Sequence, residues 1–112
     1  MGKQLKEKEI TIKIGLDDTN MPEKIIRNAT DNEAPQECKA MLLALFDKDH
    51  RDTYKIDLWT KEMQVVEMDR MMYQTLKSLA DTYFRATKNN KLASQLKQFA
   101  EYFGEETKSV GQ

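Results

Sequence analysis

Cys38 and His50 are the side chains whose types could form a catalytic nucleophile and its base, and the sequence holds one Cys and one His. A thiolate–imidazole pair needs both groups within hydrogen-bonding distance. We expect His50 to lie at the exposed tip of a turn between two strands, so only a fold that brings it back to Cys38 would create that pair. The sequence also lacks a nucleophile elbow, a P-loop and a dinucleotide-binding fingerprint. We therefore predict that the chain is not an enzyme.

Metal and cofactor sites have equally little support. One His cannot build a His-rich metal site, and one Cys cannot form an internal disulfide. Asp17, Asp18 and Asn20 offer oxygen ligands, but they lack the spacing, the central Gly and the terminal Glu of a calcium-binding loop. We interpret this cluster as a turn whose side chains bond their own backbone. We expect no metal and no cofactor.

Trp59, the single Trp of the chain, is the best candidate for a binding residue. The alternation of the preceding apolar residues places Trp59 on the opposite face of its strand, together with Lys55 and Asp57. A Trp on an otherwise polar sheet face is a natural anchor for a partner. The alternative is a structural role, in which the ring tucks beneath the helix that follows.

A wide apolar arc on the first predicted helix is the second candidate surface. Apolar residues recur at helical spacing from Val65 to Ala86 and cover more than the stripe that an ordinary surface helix buries. The arc either packs on the sheet and on the second helix, or its part near Tyr73, Ala80 and Phe84 docks a partner. Met71 lies outside the main arc, and we expect it to be the exposed member of the local methionine cluster.

The apolar pattern predicts four strands followed by two helices. Alternation predicts strands over residues 10–16 and 54–58, and Met21-Pro22 opens an extended run over residues 23–29. A continuous apolar run predicts a central strand over residues 40–46. Residues 30–36 lack apolar periodicity and are predicted to form a loop. Helical periodicity begins at Val65, and Asn89 and Asn90 end the first helix and cap a second, which ends near Gly104.

This order predicts an α+β fold, namely a four-stranded antiparallel meander followed by two C-terminal helices packed on one face. We expect residues 1–8 to be a flexible N-terminus and residues 9–104 to be a single α+β domain. We expect residues 105–112 to be a frayed C-terminal tail.

Charge and hydropathy restrict the classes of partner. The 112 residues include 18 basic and 19 acidic side chains, and the net charge of -1 supplies no long-range attraction to nucleic acid. A mean hydropathy of -0.76 argues against direct membrane insertion. No signal peptide is visible, so we expect a cytoplasmic protein.

Several stretches of sequence resemble a known family. They are Met21-Pro22-Glu23-Lys24-Ile25, Ala29-Thr30-Asp31, Ile56-Asp57-Leu58-Trp59-Thr60-Lys61-Glu62-Met63, Glu67-Met68, Gln74-Thr75-Leu76, Ala80-Asp81-Thr82, Arg85-Ala86-Thr87 and Tyr102-Phe103. Together these stretches are similar to the gliding motility-associated protein GldC family of Bacteroidetes. The likeness covers nearly the whole chain, with departures at Arg27 and at Val65-Val66. The resemblance implies a small accessory protein of surface gliding, without known enzymatic activity or cofactor.

We therefore predict a non-enzymatic cytoplasmic accessory protein that binds a protein partner in the gliding machinery or an associated secretion machinery. Asp57, Trp59, Thr60 and Arg85 match the family's pattern, and the full set of predicted partner-binding residues is Asp57, Trp59, Thr60, Met71, Tyr73, Phe84 and Arg85. The alternative is a small-ligand-binding α+β domain, with a pocket between sheet and helices where Tyr83 or Arg85 supplies polar groups. A homodimer formed through the apolar surface is the third alternative.

Overall fold

The structure, a computed structural model, describes residues 2, 4–29 and 34–111. Antiparallel strands precede two C-terminal helices, which confirms the predicted α+β class. The chain divides into two compact units, residues 1–63 and residues 64–112, which we call the strand unit and the helical unit. The elements are β1 (Ile10–Leu16), β2 (Pro22–Ala29), β3 (Gln36–Cys38), β4 (Ala40–Phe46), β5 (Thr53–Trp59), α1 (Val65–Thr87) and α2 (Asn90–Glu106).

The strand unit holds two antiparallel sheets rather than one four-stranded meander. β1, β2 and β3 form a three-stranded sheet in that order, and β4 and β5 form a two-stranded sheet. Ile25 in the middle of β2 lies opposite Ile14 on one side and Cys38 on the other. In the second sheet, Leu43 lies opposite Ile56. The predicted strands are present, and the predicted number of strands is wrong by one.

β3 is the strand that the sequence pattern did not predict. Its residues show no alternation of apolar side chains, so Gln36 was assigned to the predicted loop over residues 30–36. Residues 30–33 of that loop lie outside the described residues. A single residue, Lys39, separates β3 from β4, and its carbonyl oxygen accepts a hydrogen bond from the Thr60 N–H at 2.8 Å. One extended run of chain thus bends at Lys39 and divides between the two sheets.

The turn between β1 and β2 is held by the side chain of Asp17. Its Oδ1 atom accepts hydrogen bonds from the Thr19 N–H at 2.8 Å, the Thr19 hydroxyl at 2.7 Å and the Met21 N–H at 3.0 Å. Asn20 adopts a φ of 63°, in the left-handed region that Asn tolerates better than most residues. This confirms that the acidic cluster is a turn whose side chains bond their own backbone.

The two helices of the helical unit begin at side-chain caps. The carboxylate of Glu67 accepts a hydrogen bond from the Gln64 N–H at 3.1 Å, as in a capping box, and α1 ends at Lys88 with a φ of 60°. The side chain of Asn89 accepts a hydrogen bond from the Leu92 N–H at 3.1 Å at the start of α2. The predicted Asn cap is therefore confirmed.

Small residues let α1 and α2 approach each other closely. Ala80, Ala93, Ala100 and Gly104 are buried, together with the ring of Tyr73. A Cβ atom at Gly104 would lie 2.5 and 2.6 Å from two Tyr73 ring carbons. The absence of a side chain at Gly104 is therefore what makes room for the Tyr73 ring.

The chain after α2 returns onto the end of that helix. α2 extends two residues past the expected end at Gly104, to Glu106. The N–H of Ser109 then donates to the Gly104 carbonyl at 2.8 Å, and the hydroxyls of Thr107 and Ser109 lie 2.7 Å apart. Ser109 is 3% exposed, so this return covers the C-terminal end of α2.

Candidate partner-binding site

A surface groove of about 170 Å³ surrounds Trp59 in the strand unit. Trp59 is the last residue of β5 and lies opposite Ala40 of β4. It is 55% exposed, and Met21 beside it is 51% exposed. We call this site the Trp59 groove, and its lining residues are Met21, Pro22, Trp59, Thr60, Lys61 and Met63.

The alternation of β5 turns the Trp59 side chain to the predicted face. Ile56 and Leu58 are half-buried, whereas Asp57 and Trp59 are exposed. The ammonium of Lys55 lies 2.8 Å from a carboxylate oxygen of Asp57, two residues along the same face. The prediction that Trp59 shares a face with Lys55 and Asp57 is confirmed.

Thr60 forms the buried floor beside the ring. It is 4% exposed, its N–H donates to the Lys39 carbonyl at 2.8 Å, and its own carbonyl accepts from the Met63 N–H at 3.1 Å. The first hydrogen bond ties the end of β5 to the bend between β3 and β4, and the second closes the turn that follows Thr60. Thr60 therefore positions Trp59 and Lys61 and offers little surface of its own.

An ion pair between Asp17 and Lys61 lies at the rim of the groove. The Lys61 Nζ atom is 2.8 Å from Asp17 Oδ2. This ammonium is the largest cause that holds the pKa of Asp17 well below its ordinary value of 3.8. The Thr19 hydroxyl and the backbone N–H donors of the turn lower the pKa further. The same contact with the carboxylate raises the pKa of Lys61. Both groups stay charged at neutral pH, and the pair joins the β1–β2 turn to the residues after Trp59.

Two predicted site residues of α1 are less accessible than the sequence indicated. Tyr73 is 6% exposed because its ring fills the space beside Gly104, so it belongs to the interior of the helical unit. Met71 is half-buried, as are Met68 and Met72, so the expectation that Met71 is the exposed methionine is wrong.

Phe84 and Arg85 lie at the surface of the helical unit. Phe84 is 39% exposed, and the ammonium of Lys88 lies 5.4 Å from the centre of its ring. The Arg85 guanidinium donates a hydrogen bond to the Thr82 hydroxyl at 3.3 Å. The predicted residues thus divide between the two units, and the structure gathers Trp59 and Thr60 into one groove.

Sequence reasoning did not assign Met21, Pro22, Lys61 and Met63 to the site. Met21 and Pro22 are far from Trp59 in sequence, and the fold of the strand unit brings them beside it. The available signal was that two of the stretches that carry the family resemblance, residues 21–25 and 56–63, contain all of these residues. Their adjacency depends on the strand pairing, which a single sequence does not provide.

Cys38 and His50 are engaged in separate local contacts. The thiol of Cys38 lies 4.0 Å from the Gln36 carbonyl oxygen. The imidazole of His50, 84% exposed, lies 3.0 Å from the Asp47 carboxylate. The backbone N–H of His50 lowers the pKa of Asp47 most, and the hydrogen bond from the His50 ring lowers it further.

The described residues form neither a metal-ligand cluster nor a membrane-spanning helix. Within residues 2, 4–29 and 34–111, no three Cys, His, Asp or Glu side chains are grouped so that they could hold a metal. In the same part of the chain, neither helix has the length and apolar character needed to cross a bilayer.

The fold and the groove together define a small α+β protein with an exposed aromatic site on its strand unit. A sequence profile of the family described as Gliding motility-associated protein GldC-like matches residues 22–109, and the chain belongs to this family. The match includes β2 to β5, both helices and most of the Trp59 groove, and it confirms the resemblance seen in the sequence. Neither a curated protein nor a solved structure gives a significant match.

Proposed function

We propose that this chain is a non-enzymatic accessory protein of gliding motility that binds another protein of the gliding machinery or an associated secretion machinery through the Trp59 groove. Membership of the GldC-like family supports the association with gliding motility. The observation that carries the proposed contact surface is a Trp side chain that is 55% exposed within an apolar surface groove. We also propose that the protein acts in the cytoplasm.

The Trp59 groove has the chemistry of an interface anchor. Large aromatic side chains are enriched among the residues that dominate binding energy, and truncation of such an anchor typically costs about 2 kcal/mol or more. Met21 and Met63 supply flexible apolar walls that can adapt to a partner's side chain. We therefore expect the partner to insert an apolar or aromatic residue beside the Trp59 ring.

The supports of the groove are already in place before binding. Thr60 is held by two backbone hydrogen bonds, and Lys61 by its ion pair with Asp17. Side chains that are ordered in the free protein lose less conformational entropy when a partner binds. Because the charge of Lys61 is offset by Asp17, the expected recognition depends on shape and apolar contact more than on charge.

Partner recovery and motility in a gliding bacterium test this proposal. A strain that lacks its own GldC-like protein would receive tagged wild-type chain, the Trp59→Ala variant or the Tyr54→Ala variant. Tyr54 is the matched control because it is an aromatic of the same strand, 62% exposed, on the opposite face from Trp59. Co-purified proteins and colony spreading would be measured for each.

We expect Trp59→Ala to reduce recovery of a motility or secretion component by about tenfold or more, which corresponds to about 1.4 kcal/mol. Spreading should fall with it, whereas Tyr54→Ala should retain both properties. Equal recovery with both variants would place the contact elsewhere. Recovery of a bound small molecule in place of a protein would favour the ligand-binding alternative.

A further inference from the structure

β1 forms an edge of the three-stranded sheet, and β2 is its neighbour on one side. On the other side of an edge strand, alternate residues direct their N–H and C=O groups outward, where another strand can pair with them. β1 is seven residues long, contains no Pro, and carries an apolar side chain at every second position. Exposed fractions along this row are 65% for Ile10, 37% for Ile12, 39% for Ile14 and 54% for Leu16.

We propose that β1 pairs antiparallel with β1 of a second copy of this chain, about a two-fold axis at Ile12. In this register, Ile12 lies opposite Ile12 of the second copy, and Ile10 lies opposite Ile14 of the second copy. A two-fold contact requires a surface that is complementary to itself, and the three isoleucines satisfy this condition because they are evenly spaced about Ile12. Apolar β-branched residues that face each other across a strand pair stabilise it.

Lys13, the single charged residue of β1, and the irregularity near the end of the strand together favour this register among the antiparallel alternatives. With the axis at Ile12, Lys13 lies opposite Thr11 of the second copy. An axis at Lys13 would place two ammonium groups opposite each other, which is unfavourable. An axis at Thr11 would leave Ile14 without an opposite residue of β1. An axis at Ile14 would leave Ile10 without one, and it would pair Ile12 with Leu16 across the irregularity in β1 between Gly15 and Leu16. A shift by one residue would turn the isoleucines of one copy to the other face.

Parallel pairing is disfavoured by the same residue. Two copies of β1 aligned in parallel and in register would bring their Lys13 side chains side by side. Parallel pairing is also slightly less stable per residue than antiparallel pairing. The sequence of β1 therefore favours one antiparallel arrangement.

The size of the contact predicts a weak, concentration-dependent dimer. Pairing over residues 10–14 is short in comparison with stable interfaces, which bury about 1,200–2,000 Å² in total. β1 also precedes the residues 22–109 matched by the family profile. The inference consequently rests on the strand itself and is independent of the Trp59 groove.

Cysteine cross-linking of the purified full-length chain tests the register. The native Cys38 would first be replaced in a Cys38→Ala background. Ile12→Cys then places two thiols at directly opposed positions, where Cα atoms lie about 4.5–5.5 Å apart and a disulfide can form. Lys13→Cys is the matched control, because its two copies would be diagonal neighbours at about 7–8 Å, beyond disulfide reach.

We expect mild oxidation to cross-link Ile12→Cys about tenfold faster than Lys13→Cys. A mixture of the Thr11→Cys and Lys13→Cys chains should cross-link to each other, since these positions are opposed in the proposed register. Equal cross-linking at positions 12 and 13, or faster cross-linking at 13, would overturn it. Sedimentation of unmodified chain provides the second test, in which a monomer at the highest soluble concentration also overturns the proposal.

Discussion

The helical unit and the strand unit bury their apolar residues in different ways. In the helical unit, Tyr73, Ala80 and Ala100 are 6%, 3% and 0% exposed, because a ring and small side chains fit closely between two helices. In the described part of the strand unit, Ile25 is the buried apolar side chain, at 1% exposure, while the row on β1 and the Trp59 ring are exposed. Apolar periodicity therefore identifies the face of a helix or strand that can be buried. The sizes of the residues that meet at that face decide whether it packs closely and excludes solvent.

This difference separates the roles that we assign to the two units. Close packing around Tyr73 makes the interior of the helical unit a source of stability, while apolar side chains such as Phe84 and Phe99 stay exposed on its surface. In the strand unit, the exposed Trp59 ring lines a groove that suits binding. Substitutions at the buried positions of the helical unit should change the free energy of unfolding. Substitutions at the exposed positions of the strand unit should change association and leave stability nearly unchanged.

Truncation of Tyr73 should have the largest effect on stability. Tyr73→Ala removes a buried ring from between the helices and leaves a cavity, for which we expect a loss of about 3 kcal/mol. Tyr102→Ala is the matched control, since Tyr102 is an aromatic of the same unit that is 57% exposed, and its effect should stay within about 0.5 kcal/mol. Urea unfolding followed by circular dichroism measures both. Equal losses would remove the distinction between interior and surface in this unit.

Gly104→Ala should destabilise the protein, although Ala is the better helix former. The added Cβ would lie 2.5 Å from a Tyr73 ring carbon and 2.7 Å from a Val110 methyl. Overpacking of this kind costs about 1–3 kcal/mol, against a gain of up to about 1 kcal/mol from helix propensity. At Gly15 the same addition meets its nearest atom at 3.7 Å, so Gly15→Ala should be better tolerated.

A double variant sharpens this test of the close helix contact. In a Tyr73→Ala background the ring carbons that obstruct the new methyl are absent. Gly104→Ala should therefore cost less there than in the wild type, which gives a measurable coupling energy. Identical costs in the two backgrounds would show that the Tyr73 ring does not determine the requirement for Gly104.

Removal of the α2 cap should have an intermediate effect. Asn89→Ala leaves the Leu92 N–H without its side-chain acceptor, for which we expect a loss of about 1 kcal/mol. Asn90→Ala, at the neighbouring position inside the helix, should change stability by less. Thermal unfolding compares the two, and a larger loss at Asn90 would contradict the assignment of Asn89 as the cap.

The sequence predicted most strands and both helices because their signals are local. Alternation marked β1 and β5, helical spacing marked α1 and α2, and Asn89 is a typical cap. β3 was missed because its three residues lack an apolar pattern and owe their extended structure to pairing with β2. The cap of α1 was not predicted, since Gln64 is not a typical cap residue, and the structure shows the capping box that Gln64 forms with Glu67.

The site was predicted less completely than the fold because a groove joins distant segments. The face of Trp59 followed from alternation along β5. The contribution of Met21 and Pro22 did not, since it depends on how β2 and β5 are arranged in the strand unit. Tyr73 was assigned to a binding surface because the apolar arc of α1 is wider than the stripe that an ordinary surface helix buries. The structure places its ring in the space that Gly104 leaves open.

Acid should weaken the strand unit through Asp17, and this is the smallest effect that we predict. Because the folded-state pKa of Asp17 lies below its ordinary value of 3.8, its contribution is present above that pH and declines as the pH falls further. Asp17→Asn cannot ionise, so its stability should depend less on pH in this range. Asp47→Asn is the control, and its effect should be smaller because Asp47 is held by hydrogen bonds from His50 and lacks a lysine ammonium such as the one that Lys61 brings to Asp17. Urea midpoints between neutral and acidic pH measure both variants, and an unchanged acid response in Asp17→Asn would contradict the ion pair with Lys61.

Site-specific photo-crosslinking in a gliding bacterium tests the central claim most directly. A photoreactive phenylalanine derivative would replace Trp59 in one strain and Tyr54 in another, and covalent adducts would be identified by mass spectrometry. The Trp59 groove predicts an adduct with a protein of the gliding or associated secretion machinery from position 59, and none from position 54. No protein adduct from position 59, or the same adduct from both positions, would contradict the account.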